Sequence, residues 1–136
     1  VLLAATVACA AWTPLPDPAG HVTVSLLPEQ ASVQPGRPFL VGVRMTMHGG
    51  WHTYWRNPGD SGLPLRIRWD LPPGFSAGSI EWPAPERIPG NGLTSYGYRE
   101  ETLLPVEITP PGRIDSDSVT IAGRFDWLEC ADVCVP

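Results

Sequence analysis

From His21 onward, apolar and polar residues alternate with a period of two, the spacing that puts every second side chain on one face of a β-strand. The segment HVTVSLL sets Val22, Val24 and Leu26 against Thr23 and Ser25. PFLVGVRMTMH places Phe39, Val41, Val43, Met45 and Met47 on one face, and LPLRIRWDL sets Leu65, Ile67 and Trp69 against Arg66, Arg68 and Asp70. ETLLPVEIT and SVTIAGRFDWL continue the pattern, the latter with Val119, Ile121, Phe125 and Trp127 inward and Thr120, Arg124 and Asp126 outward. Each reads as a half-buried strand. Between them lie the turn clusters VQPGRP, RNPGDSG, LPPG, IPGNG and TPPGR. No long stretch carries a helical apolar stripe free of Pro or Gly. The pattern predicts an all-β domain, an immunoglobulin-like antiparallel β-sandwich.

Composition narrows the picture. A chain of 136 residues has room for one domain with a real core, and its 14 glycines and 17 prolines punctuate apolar runs instead of forming tracts. The net charge of -5 is spread without acidic or basic blocks, which argues against nucleic acid and against attachment to anionic lipid. Proteins or small molecules remain as partners. The opening VLLAATVACAA is uncharged and ends in small residues, so residues 1–10 read as the remnant of a secretory signal peptide with Ala8-Cys9-Ala10 as the cleavage site. In a second version, TVAC is a lipoprotein box and Cys9 carries the lipid, although Thr6 stands where such boxes usually have Leu. Residues 11–20 form a Pro-rich leader, and the folded unit is expected over 21–136. Because the chain stops two residues after Cys134, further C-terminal strands are expected beyond Pro136.

Export makes disulfides admissible and focuses attention on WLECADVCVP. If Ala131-Asp132-Val133 form a hairpin loop, Cys130 and Cys134 face each other across the ladder, near the ~5.5 Å separation a disulfide needs. As a staple such a bond achieves little, because a short loop costs the denatured chain little entropy when closed. That favours a redox role, although the C-x3-C spacing matches neither the thioredoxin C-x-x-C nor a zinc knuckle. Glu129 and Asp132 flank the pair and the nearest cation in sequence is Arg124, so local charge is expected to raise the thiol pKa values.

Two other groupings carry candidate chemistry. Met45, Met47, His48 and His52 offer thioether and imidazole ligands suited to copper, against the simpler reading of core and turn residues. Trp51, Tyr54, Trp55, Tyr96 and Tyr98 concentrate in turn-rich segments, where aromatics serve either as binding surfaces and lids or as buried packing. No Ser/His/Asp order, phosphate loop or carboxylate pair supports hydrolase chemistry.

In order, GWHTYWRNPGDSGLPLRIRWDLPPGF, WPAPERIPGNGLTSYGY, LLPVEI and FDWLECADVCVP resemble the N-terminal periplasmic domain of the DsbD-type thiol:disulfide interchange proteins, the copper-tolerance ScsB branch included. The resemblance covers roughly residues 21 to 136. It implies an immunoglobulin-like, periplasmic protein-disulfide reductase domain with no cofactor beyond the redox-active Cys130–Cys134 disulfide. Its implied partners are a thioredoxin-like domain and a membrane domain of the same protein, which supply electrons. The implied recipients are oxidised periplasmic thioredoxin-fold proteins, among them disulfide isomerases and cytochrome c maturation factors. Nucleic acid and small-molecule substrates are not implied. By the same resemblance Cys134 forms the mixed disulfide, Cys130 resolves it, and Tyr96-Gly97-Tyr98 is the cap that shields the pair until a partner docks. The rival reading is a non-catalytic exported binding module with a structural disulfide and copper on the Met/His segment.

Overall fold

The computed structural model describes residues 20–136; the expected signal-peptide remnant, Cys9 and all of the expected leader except Gly20 lie outside the described residues. Eleven antiparallel strands and no helix make up the described chain. Strands β1 (Val22–Pro28), β2 (Phe39–Met47), β8 (Glu101–Thr109) and β5 (Ser76–Ile80) form one sheet in the order β1-β2-β8-β5. A second sheet runs β11-β10-β3-β7-β6, from β11 (Cys134–Val135), β10 (Glu129–Cys130), β3 (His52–Gly59), β7 (Leu93–Arg99) and β6 (Glu86–Gly90). A ribbon of β4 (Arg66–Asp70) and β9 (Ala122–Asp126) completes the sandwich, an arrangement of the immunoglobulin-like kind.

The period-two residues build the core. Val22, Val24, Phe39, Val41, Val43, Met45, Met47, Leu104, Val106 and Ile108 are all buried on the inner face of the first sheet. Tyr98 from the second sheet, Leu65, Val119 and Ile121 close over them, with Trp55, Ile67, Trp69, Phe125 and Trp127 packed at the margin. Burial of each such aliphatic side chain is worth roughly 1.5–3 kcal/mol relative to exposure, so this layer dominates the stability of the fold.

The second sheet differs from the sequence expectation. The segments WHTYWRNPG and LTSYGYR, read as turn-rich, are strands β3 and β7 at the centre of that sheet. Their pairing runs His52↔Arg99, Thr53↔Tyr98 and Tyr54↔Gly97, then shifts register before Gly59↔Ser95. The excursion of Trp55 to Pro58 out of the ladder is what disguises the strand. Gly97 fits because β3 passes so close that a Cβ there would collide with the Thr53 carbonyl oxygen. At the far end, Gly90↔Leu93 pairing leaves Asn91-Gly92 as a two-residue hairpin turn, both with positive φ (51° and 75°), which matches the Asn-Gly preference of such turns.

Candidate redox site

Cys130 and Cys134 are joined by a disulfide with Cα atoms 4.1 Å apart. Strands β10 and β11 pair Glu129↔Val135 and Cys130↔Cys134, and Ala131-Asp132-Val133 form the loop, closed by a hydrogen bond from the Ala131 N–H to the Val133 carbonyl. The hairpin expected from the spacing is thus present, with Cys134–Val135 as its return strand. The two cysteines are unequal: Cys130 is only 2 % exposed, whereas Cys134 lies open on the surface beside Val133, which is 64 % exposed.

β10 joins the sheet through one residue pair, Cys130↔His52, and His52 in turn pairs with Arg99. Residues directly opposite in antiparallel strands share a face, so Cys134, Cys130, His52 and Arg99 form a row across β11, β10, β3 and β7. They line a pocket of about 380 Å³ together with Tyr54, Ser95, Asp132 and the β6–β7 hairpin from Ile88 to Leu93. His52 Nε2 lies 3.2 Å from the Tyr54 hydroxyl. Burial, and secondarily the positive charge of Arg99, holds the His52 imidazole below its ordinary pKa of 6.5. Burial raises the Tyr54 phenol, partly offset by its hydrogen bond with Ser61.

The other face of β10 belongs to Glu129. Its carboxylate is 1 % exposed and accepts hydrogen bonds from the Trp127 indole N–H at 3.0 Å and from His21 Nδ1 at 2.9 Å. His21 is itself stacked on Trp51 with ring centroids 3.7 Å apart. The alternation of side chains across the strand therefore turns Glu129 away from the pocket, so of the two acids that flank the pair in sequence only Asp132 lines it. Arg99, distant in sequence, is the cation that shares the pocket with the sulfurs, and Asp132 is the acid.

Several sequence candidates lie elsewhere. Tyr96, Gly97 and Tyr98 are in strand β7, not a loop, and none of the three lines the disulfide pocket. Tyr98 is in the core, its hydroxyl donating to the Pro83 carbonyl at 2.8 Å, and Tyr96 is 37 % exposed. The segment that borders the pocket is instead the preceding hairpin, Ile88 to Leu93, with Leu93 45 % exposed at its rim. Met45 is in the core, Met47 takes a hydrogen bond from Thr53 Oγ1, His48 is exposed, and His52 faces the pocket. Thr53 and His52 are consecutive in β3 and point to opposite faces, so the four do not converge on one ligand shell. Trp51 and Trp55 are half-buried, the latter beneath the Arg56 guanidinium at 5.2 Å. In the sequence His52 reads as a turn residue or a copper ligand, not as a neighbour of the disulfide, and Arg99 and the hairpin tip are missed as site residues. The Asn-Gly turn and the Cys130–His52–Arg99 register are the signals that connect them.

Comparison with known proteins identifies the fold and the family. The crystal structure of the N-terminal periplasmic domain of ScsB from Proteus mirabilis is similar, with a TM-score of 0.69 and 25 % identity over 91 % of this chain. The chain spans 47 % of that structure's length. No match was found among curated protein sequences. The family described as "Thiol:disulfide interchange protein DsbD, N-terminal" matches residues 23–136, and the chain belongs to that family.

Proposed function

We propose that this chain is a periplasmic thiol-disulfide exchange domain with protein-disulfide reductase activity. It relays electrons from a thioredoxin-like and membrane module of the same protein to oxidised periplasmic thioredoxin-fold proteins, such as disulfide isomerases and cytochrome c maturation factors. The observation that carries the reading is the asymmetry of the pair: an exposed Cys134 that a partner can reach and a buried Cys130 held on the sheet. In the reduced domain, the Cys134 thiolate attacks a partner disulfide and a mixed disulfide forms while one partner sulfur leaves as thiolate. Cys130 then attacks Cys134, the intermolecular bond breaks, and two electrons have passed to the partner.

Access shapes this cycle. The pocket is bordered by the β6–β7 hairpin on one side and by the cysteine loop on the other, so a partner approaches Cys134 over Leu93 and Val133, both exposed apolar residues. The test is trapping. Cys130→Ser should accumulate a mixed disulfide through Cys134 when mixed with an oxidised thioredoxin-fold protein, and Cys134→Ser should not. Failure of both single variants to capture any such protein would refute the relay.

A further inference from the structure

Four titratable or charged side chains besides the cysteines line the disulfide pocket: His52 and Tyr54 from β3, Arg99 from β7 and Asp132 from the cysteine loop. The β6–β7 hairpin that borders it contributes only apolar and amide groups there. Of the four, His52 alone is the ladder partner of Cys130. Cys130 is buried, so once a second protein sits on Cys134 its thiol proton needs an acceptor inside the site. We propose that His52 takes the proton of the Cys130 thiol as that residue closes the disulfide and returns it when the bond opens, with Tyr54 fixing the ring and Arg99 facing the thiolate.

The inference rests on the exchange reading and adds the proton path to it. In the closing step the Cys130 S–H proton passes to the imidazole, and the sulfur's electron pair forms the bond to Cys134. The Cys134–partner bond breaks, the partner sulfur leaves as thiolate with the electron pair, and the imidazolium yields its proton to that thiolate or to water. The opening step runs the same path backwards.

Two features of the site suit this role. Burial and Arg99 keep the imidazole neutral near neutral pH, ready to accept a proton and quick to release it. The same guanidinium lies in the row with Cys130, where a cation favours the thiolate that must attack. Asp132 opposes it from the loop; both residues are exposed, so solvent screens both charges, and of the two Arg99 is the one whose strand pairs directly with His52.

The test uses 5,5′-dithiobis(2-nitrobenzoate) on the reduced protein, so it needs no biological partner. Derivatisation of Cys134 releases one coloured thiolate, and attack by Cys130 releases the second in an intramolecular step followed by stopped flow. For the wild type, the rate of that second step should rise through an acid inflection below 6.5 and then level off. His52→Gln should slow it at least tenfold near neutral pH and abolish the inflection, leaving a rate that climbs toward the ordinary thiol range near about 8.5. Arg99→Gln, a change at an exposed residue, should move the inflection upward. A wild-type profile in His52→Gln, or an unmoved inflection in Arg99→Gln, would overturn the proposal. Normal profiles alongside failed partner trapping would instead overturn the relay and leave His52's role standing.

Discussion

Glu129 is the residue whose loss should most sharply separate the redox hairpin from the rest of the domain. Strand β10 is paired with β3 at a single position, so little backbone hydrogen bonding holds the hairpin down. On the opposite face, the buried Glu129 carboxylate accepts from Trp127 Nε1 at 3.0 Å and from His21 Nδ1 at 2.9 Å. Hydrogen bonds to a charged group are worth about 1.5–3 kcal/mol each, but His21 is a third exposed and its share is correspondingly screened. Glu129→Ala also orphans the half-buried indole N–H, so the total should come to about 3 kcal/mol. With a urea dependence of about 2 kcal/mol per molar, the unfolding midpoint falls by about 1.5 M. Glu129→Gln keeps the shape and one acceptor and should cost about 1 kcal/mol. The internal control is Asp115→Ala, which removes an ion pair whose partners are 86 % and 77 % exposed and should change stability by less than about 0.5 kcal/mol. If Glu129→Ala unfolds within about 1 kcal/mol of wild type, the carboxylate is not an anchor and the reasoning fails.

The Cys130–Cys134 bond closes only a short loop, since the residues are four apart, so its reduction should lower stability by only roughly 2 kcal/mol, leaving a cooperative transition in denaturant. A loss of folded structure on reduction would mark the bond as a staple. Gly97→Ala drives a methyl group into the Thr53 carbonyl between two central strands and should cost about 3 kcal/mol or more, visible as a lowered thermal midpoint. Tyr98 is pushed up to about 12 by burial, partly offset by Arg56, so alkaline difference spectroscopy should show a tyrosine ionising there that Tyr98→Phe removes. Because the folded value lies above the ordinary 10.0, its contribution to stability is intact below that pH and is lost as pH rises toward 12; Tyr98→Phe should flatten that decline.

Three strands of the first sheet, β1, β2 and β8, were legible because nothing interrupts their ladders, whereas β5, whose pairing with β8 shifts register between Ala77 and Ile80, gave no alternation to read. In β2 every second residue from Phe39 to Met47 is apolar and buried; on the other face Leu40 and Gly42 depart from the polar pattern, Gly42 lying beneath the exposed Leu103 side chain. The second sheet carries the site and was read poorly. β3 leaves the ladder between Tyr54 and Gly59, and β7 has a glycine where the strands approach too closely for a side chain. Both features erase the alternation that marks a strand. The cysteine hairpin was legible because its partners are four residues apart, whereas His52, Arg99 and Cys130 are brought together only by strand order. The charge expectation places Glu129 facing the sulfurs, but neighbours in a strand point to opposite faces, and of the two flanking acids only Asp132 lines the pocket.

That alternation also shows how the pair would change redox state, as proposed, without endangering the fold. On one face β10 carries Cys130 into the pocket with His52 and Tyr54; on the other it carries Glu129 into contact with Trp127 and His21. The first face meets the chemistry and the second meets the core, and a single strand of two residues serves both. The hairpin's attachment then rests on a carboxylate that electron transfer does not touch, while the disulfide contributes little to holding it. A bond that the fold depends on cannot be opened at every turnover. Here the anchor and the disulfide are carried by adjacent residues that face opposite ways, an arrangement that suits the proposed relay.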